Sequence, residues 1–362
     1  MSAFDSFSER LVVGVTGINA SDNPAPGLGV AKSLKLAGAP GIKVVGLAYD
    51  AMEPGIYLDD FIDRAFMIPY PSAGHEALVE RLLYIKQQVG LDVLIPNLDS
   101  EIPIYIRAQE RLARQGIHCL LPTREQFELR DKCRLAAFAT AAGLHAPVQH
   151  LAIDQDGLKR AAAQLGYPLM VKGSLYGAHC CANLDEALAA FGSVLTRWGG
   201  PVIVQQRIEG EAMNIVGVGD GRGEAPGMIA VRKMTTTSLG KIWTGVTVDN
   251  PSLMSAAADF LSVSRWRGAF ELECILGRAG ISLIEINPRF PAWVYFAAGV
   301  GSNLPLALVR RALGDDAPEP TAFKAGYPSG RLYIRYTDER VCDMRVLQNM
   351  TIRGESPGGK SL

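Results

Sequence analysis

Residues 268–289 read Gly-Ala-Phe-Glu-Leu-Glu-Cys-Ile-Leu-Gly-Arg-Ala-Gly-Ile-Ser-Leu-Ile-Glu-Ile-Asn-Pro-Arg. No other stretch limits the fold so sharply. Two apolar strands flank a Gly-Arg-Ala-Gly turn, which predicts a β-hairpin. Side chains alternate faces along a strand. Glu271 and Glu273 therefore share one face of the first strand, and Glu285 and Asn287 one face of the second. Arg289 follows them if the chain stays extended. Carboxylates crowded on apolar strands repel one another and are costly to desolvate. A hard divalent cation relieves both costs, because Mg²⁺ takes oxygen ligands and usually keeps waters and nucleotide phosphates. Arg289 suits an anionic oxygen, which it can grip through two hydrogen bonds. Acids on a strand are commonly an ordinary solvated face. The run Glu-Ile-Asn-Pro-Arg after a Glu-bearing strand is more specific than that.

Upstream, short apolar runs alternate with helical patterns. Leu11–Val15, Ile42–Ala48, Phe66–Ile68, Val93–Ile95 and Cys119–Leu121 read as strands, and about 30–37, 75–89 and 103–115 as helices. That alternation predicts a parallel sheet with helices on both faces. The loop from Gly17 to Gly29 is not Gly-x-Gly-x-x-Gly, has no acid ~20 residues beyond it, and lacks the Gly-Lys-Ser/Thr ending of a P-loop. It reads as a strand-to-helix loop at a cleft edge, where Gly17, Gly27 and Gly29 let the backbone come close. Asp99 and Glu101 stand at a strand end facing that cleft. They can hold an ammonium group or simply cap a helix.

The middle changes character. Residues 124–142 predict one helix, with Thr123 as N-cap and Gly143 as its stop. Gln149–Ile153, Leu169–Lys172 and Val202–Gln206 read as strands, with helices to Leu165, capped by Asp154 or Asp156, and over 183–198, opened by Asp185. Met213–Val218, Met228–Val231, Phe270–Ile275 and Ile281–Ile286 are further strands, with a helix over 252–263. The last forty residues hold one strand-like run, Arg331–Tyr336, and a Gly/Ser/Lys tail read as frayed.

Lys172 ends the apolar run Tyr-Pro-Leu-Met-Val-Lys-Gly, where a lysine seldom lacks a partner. The small-residue loop after it, with Gly173, Ser174 and Gly177, can turn amides toward phosphate. Lys132 opens the helix at Arg-Asp-Lys; an exposed helix lysine is its plain alternative. The strand ending Gln205-Gln206-Arg207-Ile208 runs into a linker, and its free backbone edge at 206–208 offers adenine one donor and one acceptor. Thr235–Lys241 reads as a polar loop, a substrate lid or an exposed turn. Phe290, Trp293 and Tyr295 suit an apolar pocket or the core equally.

Composition removes several function classes. Thirty-six Lys and Arg against 37 Asp and Glu give a net charge of −1, so no basic field holds nucleic acid or an anionic membrane. No stretch approaches the ~18 apolar residues of a membrane span. The N-terminal apolar run is too short for a signal peptide core. Six scattered cysteines without a Cys-x-x-Cys pair fit reduced thiols in a cytoplasm, and five histidines without ligand spacing speak against zinc.

Lys132, Val-Lys-Gly at 171–173, Gln-Gln-Arg-Ile-Glu-Gly-Glu at 205–211, and Glu273 with Glu285-Ile-Asn287-Pro-Arg289 occur in an order and spacing that resemble the ATP-grasp superfamily. The branch is the one similar to carbamoyl-phosphate synthase large chain and biotin carboxylase, over about residues 11–314. The resemblance implies an α/β and α+β chain. It places a Rossmann-like pre-ATP-grasp domain over 1–123, a small lid subdomain over 124–203, a larger subdomain with the metal site over 204–320, and a C-terminal strand and tail over 321–362. It implies ATP and Mg²⁺, with Mn²⁺ as a stand-in ion. Lys132, Lys172, Gly173, Ser174 and Gly177 would bind phosphates. Gln205, Gln206 and Ile208 would line the adenine slot, and Glu211 would replace the missing ribose acid. Glu273, Glu285 and Asn287 would hold metal, the twelve-residue gap favouring Glu273 over Glu271. Arg289, Lys172, Arg232 and Lys233 would serve catalysis, and Asp99, Glu101 and Arg289 the substrate. The implied activity joins a carboxylate to an amine through an acyl phosphate. The rival readings are ATP-dependent carboxylation with bicarbonate and a nucleotide-binding accessory subunit without chemistry. Small-molecule acid and amine substrates are expected, with no nucleic acid or membrane partner, and a homodimer is compatible.

Overall fold

The computed structural model describes residues 11–21, 23–36, 41–174, 177–237, 240–315 and 326–357. Its first layer is a parallel sheet. It comprises β1 (Leu11–Thr16), α1 (Gly27–Leu36), β2 (Ile42–Ala48), β3 (Arg64–Met67), α2 (His75–Val89), β4 (Val93–Ile95) and α3 (Ile102–Arg114), with strand order β3-β2-β1-β4. Every pair is parallel, with Val13 beside both Val44 and Val93. The loop into α1 turns tightly: Gly17 has φ +64°, and a Cβ on Gly27 would stand 2.1 Å from the Thr16 carbonyl oxygen.

Next come α4 (Arg124–Glu128), α5 (Lys132–Ala141), β5 (Gln149–Ala152), α6 (Gln155–Leu165), β6 (Leu169–Lys172), β7 (Ala178–Cys181), α7 (Leu184–Trp198) and β8 (Val202–Gln206). The four strands form an antiparallel sheet in the order β5-β8-β6-β7, with α6 and α7 packed on one face. This sheet takes in Gln206, so the expected division at 203 cuts through β8. The helices α4 and α5 do not belong to it. Leu135, Phe138 and Ala139 of α5 are buried against the third sheet instead.

That sheet comprises β9 (Glu211–Asp220), β10 (Met228–Thr236), β11 (Ile242–Thr247), β12 (Arg267–Gly277), β13 (Gly280–Asn287) and β14 (Leu332–Ile334), in the order β13-β12-β9-β10-β11-β14. The helices α8 (Pro251–Ser264), α9 (Tyr295–Gly299), α10 (Leu304–Ala312) and α11 (Met344–Arg353) complete the chain. One sheet face rests on α8 and α5. The other shares an apolar core with β1, α1, α9 and α10. The C-terminal segment returns to the first sheet, where Glu355 bridges Phe66 and Ser356 N donates to the Ala65 carbonyl.

Several expectations change. Cys119–Leu121 is no strand; only His118 bridges Val93, and Arg267 donates to the carbonyls of Cys119 and Leu121. The helix expected over 124–142 is two. Thr123 caps the first through a capping box with Gln126, and Asp131 caps the second by accepting from Cys133 N, so the chain restarts between them. Asn183, not Asp185, caps α7, accepting from Glu186 N; Asp185 lies in the first turn, where an acid favours the helix N-terminus. Thr235–Lys241 is largely a hairpin connection. Thr235 and Thr236 pair with β11, and Thr237 N donates to the Lys241 carbonyl; residues 238 and 239 lie outside the described residues. The strands β7 and β11 and the helices α9, α10 and α11 were not among the expected elements, although α10 and α11 are amphipathic. The expected C-terminal tail at 358–362 also lies outside the described residues. Among the described residues no helix is long and apolar enough to cross a membrane.

Phe260 of α8 lies beneath the third sheet, its ring 5.8 Å from Phe138, 5.4 Å from Trp266 and 5.3 Å from Phe270. Phe260→Ala is predicted to cost about 3–5 kcal/mol, measured by urea denaturation.

Candidate active site

The apolar face of the third sheet stops where the carboxylates begin. In the β12–β13 ladder Glu271 stands opposite Asn287 and Glu273 opposite Glu285. The register slips between Glu273 and Cys274, with Ile284 as the extra residue. That bulge lets Leu283 face the core with Cys274 while Glu285 faces the cleft with Glu273.

The acids differ in how they are held. Glu271 is buried, and four donors occupy it. Asn214 Nδ2 (2.7 Å) and Trp293 Nε1 (3.0 Å) donate to Oε1, and Asn287 Nδ2 (3.1 Å) and Arg289 (3.2 Å) donate to Oε2. It has little capacity left for a metal. Glu273 and Glu285 have side chains 31% and 30% exposed. Lys233 Nζ lies 2.7 Å from Glu273, and Lys132 Nζ 3.3 Å from Glu285. Burial acts to raise the Glu273 pKa, but the Lys233 ammonium outweighs it and holds the carboxyl below its ordinary value. Burial dominates at Glu285 and raises it. Among the described residues no three His, Cys, Asp or Glu side chains converge as a metal cage. The hard-oxygen set is two half-open carboxylates and the Asn287 amide oxygen, which accepts from Arg289 at 3.2 Å. Two carboxylates plus substrate oxygens suit Mg²⁺, which seldom uses an all-protein cage.

The cations come from separate elements. Lys132 is the first residue of α5, Lys172 ends β6, Lys233 lies on β10 and Arg289 follows β13. A hydrogen-bond chain ties the second sheet to the start of α5: Lys172 Nζ to Gln205 Oε1 (2.6 Å), Gln205 Nε2 to Gln149 Oε1 (3.0 Å), and Gln149 Nε2 to the Lys132 carbonyl (2.6 Å). Burial, then the charge of Lys132, push the Lys172 ammonium down to about 8. Arg289 also lies 3.5 Å from Asp99. The surrounding acids outweigh burial and keep its guanidinium firmly charged. Four carboxylates (Asp99, Glu271, Glu273, Glu285) thus face four cations (Lys132, Lys172, Lys233, Arg289). The cluster is close to neutral, so a polyanion needs an added cation to enter it at low cost.

Other expected residues sit elsewhere. Neighbours on a strand face opposite ways. Lys233 reaches Glu273, while Arg232 points to the other face and pairs with Glu211 at 2.7 Å. Arg232 is therefore not beside the carboxylates, and Glu211 is engaged by it. Glu101 is fully buried: Thr16 Oγ1 and Tyr49 OH donate to it, as do Asn97 N (2.7 Å) and Leu98 N (2.9 Å). It is sealed from a substrate and fixes the loop that carries Asp99. Asp99 Oδ1 is buried and accepts no hydrogen bond. The Gln205 side chain is spent on Lys172, and Gln206 N donates to the Val148 carbonyl (2.8 Å), so the expected free edge begins no earlier than residue 207. Gly173 N donates to the Gly177 carbonyl (3.1 Å), closing the loop that holds Ser174; residues 175 and 176 lie outside the described residues. Phe290 and Trp293 are core, while Tyr295 is 36% exposed. Asn214 and the Trp293 donor were missed. An asparagine inside the apolar run Met213–Val218 was the available signal for the first.

This arrangement is the ATP-grasp fold with a parallel-sheet domain before it. Many solved structures share it, and three of them illustrate the likeness. An L-amino acid ligase from Bacillus licheniformis is 16% identical, with 90% of this chain and 79% of that chain covered at a TM-score of 0.65. A biotin carboxylase from Campylobacter jejuni, in complex with β,γ-ATP, is 15% identical, with 88% and 74% covered at 0.66. The biotin carboxylase domain dimer of Hydrogenobacter thermophilus 2-oxoglutarate carboxylase, in complex with MgADP, ADP and bicarbonate, is 19% identical, with 84% and 70% covered at 0.63. No family model and no curated protein matches the chain.

Only the protonated Lys172 attracts an anion. With its pKa near 8, the Lys172 contribution to pyrophosphate affinity is predicted to fall as the pH rises through that value, because the neutral amine no longer attracts the anion. Calorimetric titration across pH 6.5–9.5 checks this, and Lys172→Arg should move the fall to higher pH.

Proposed function

We propose that the chain is an ATP- and Mg²⁺-dependent ligase that joins a carboxylate to an amine. The observation that carries this reading is the convergence of Lys132, Lys172, Lys233 and Arg289 on Glu273, Glu285 and Asn287. Glu273, Glu285 and Asn287 would hold Mg²⁺, which supplies charge neutralisation of the triphosphate. Lys132 and Lys172, with the amides near Gly173, Ser174 and Gly177, bind the phosphates. The β8–β9 connection through Ile208 lines the adenine.

The substrate carboxylate attacks the γ-phosphorus. The bond from that phosphorus to the bridging oxygen breaks and ADP leaves. Lys172 and Arg289 spread the charge of the transferring group, and Lys233 steadies Glu273. The amine then attacks the acyl carbon, the bond from that carbon to the phosphate oxygen breaks, inorganic phosphate leaves, and the nitrogen gives up a proton as the amide forms. Asp99 would hold that amine by accepting a hydrogen bond from it. No protein nucleophile is needed. All six cysteines are free thiols, in keeping with the reducing cytoplasm we assign.

The test is ADP release from Mg-ATP across a panel of acids and amines, singly and in pairs, with mass spectrometry of products. Release that needs an acid and an amine together supports the ligase. Release triggered by bicarbonate alone moves the assignment to carboxylation, and nucleotide binding without release under any pair favours an accessory subunit. Lys172→Ala and Arg289→Ala are each predicted to lower kcat by at least about 10²-fold. An undiminished rate in Lys172→Ala contradicts the mechanism. Glu273→Gln and Glu285→Gln are predicted to raise the Mg²⁺ concentration needed for half-maximal rate by about tenfold or more.

A further inference from the structure

The outer strand of a sheet presents a row of unpaired amides and carbonyls, which folds usually cover or arm with lysine or proline. The first and third sheets have four outer strands, β3, β4, β13 and β14. Three are closed: Glu355 bridges Phe66 on β3, His118 bridges Val93 on β4, and His145 bridges Ser282 on β13. The fourth, β14, pairs only with β11 among the described residues. Thr247 N donates to the Arg331 carbonyl (2.9 Å) and Arg335 N to the Trp243 carbonyl (3.0 Å). Backbone groups along an antiparallel strand alternate in direction. Those of Leu332, Ile334 and Tyr336 therefore point outward, away from β11. Their side chains share one face and are 56%, 59% and 74% exposed. The opposite face is anchored. Tyr333 stacks on Phe296 with ring centroids 5.4 Å apart, and Arg335 donates to the Ala292 carbonyl at 2.8 Å. No turn or bend interrupts the chain from 335 to 343.

Water can satisfy an open backbone edge, but it leaves an apolar stripe uncovered. This edge is complementary to itself when paired antiparallel. With Ile334 opposite its own copy, Leu332 stands opposite the partner's Tyr336, and each outward residue exchanges both backbone bonds with another outward residue. A slip of two residues sets Tyr336 opposite Gly330 in one direction and Leu332 opposite Asp338 in the other. Only the centred register therefore pairs all three apolar side chains. On the opposite face Arg335 meets the partner's Tyr333 and Arg331 meets the partner's Thr337, so no like charges oppose one another. Charge favours the same direction. Arg331 leads into the strand and Asp338 and Glu339 leave it, so antiparallel pairing sets the basic end of one copy beside the acidic end of the other. A parallel partner would set like ends together. We propose that β14 pairs with β14 of a second copy across a twofold axis, joining the two six-stranded sheets into one. The pairing is independent of the ligase reading.

The test is sedimentation velocity of the full chain over about 1–200 µM, a range that captures a small, reversible interface. The expected result is a monomer–dimer equilibrium. Ile334→Glu and Ile334→Lys are each expected to raise the dimer Kd about tenfold or more, because each sets like charges opposite one another. An equimolar mixture of the two variants is expected to recover the dimer as a mixed pair, since residue 334 faces its own copy. That recovery also separates a lost contact from a misfolded chain, as does an unchanged urea midpoint of each variant measured on the monomer. Ile153, 77% exposed just after β5 on the second sheet, supplies the control: Ile153→Glu is expected to leave the Kd unchanged. A chain that stays monomeric throughout the range overturns the proposal, even if β14 then accepts a strand from another protein. A dimer untouched by both substitutions at 334, or weakened equally by Ile153→Glu, places the interface elsewhere and also overturns it. A mixture no more associated than its separate components overturns the twofold register.

Discussion

Three glutamates on one face of an apolar hairpin are the constraint around which the rest is arranged. Like charges at that spacing cannot all stay ionised in a half-buried cleft without partners. The fold answers each acid separately. Glu271 receives four donors and becomes part of the frame. Glu273 and Glu285 each receive one lysine and stay partly open. The donors to Glu271 include the Asn214 amide and the Trp293 indole, packed into the sheet and core, so Glu271 keeps Arg289 in position whichever ligand is bound.

The three sheets matter because they bring those cations from distant parts of the chain. Lys172 arrives on the second sheet, Lys132 on a helix packed beneath the third, and Lys233 on a neighbouring strand of the third sheet itself. The Gln205–Gln149 link couples Lys172 to the start of α5 at the Lys132 carbonyl. The first sheet contributes Asp99, held in place by the sealed Glu101. The same shared core packs α1 and α10 against the third sheet.

Much of this was legible because it depends on local rules. Strand alternation placed Glu271 with Glu273, and Glu285 with Asn287, and the strands β2, β4 and β6 and helix α2 kept their expected bounds. The same rule also bears on Arg232. Adjacent strand residues cannot both face the cleft, so Arg232 and Lys233 could not both stand at the phosphate. What stayed hidden depends on contacts far apart in sequence. The break at 129–131 needed Asp131 recognised as a second cap inside a helical pattern. Glu101 resembled a substrate acid until the hydroxyls of Thr16 and Tyr49 were seen to close over it. The Trp293 donor to Glu271 is a tertiary fact that no periodicity encodes.

The central claim is that Glu273, Glu285 and Asn287 hold a metal that brings a nucleotide to Lys132 and Lys172. Crystals grown with Mn²⁺ and ADP test it directly, because Mn²⁺ marks its own position by anomalous scattering. The account predicts an anomalous peak at Glu285, with Glu273 or Asn287 as a second protein ligand, and diphosphate oxygens bridging the ion to Lys172. ADP bound with no ion on that face, or an ion held elsewhere while all three side chains keep their present partners, would contradict it.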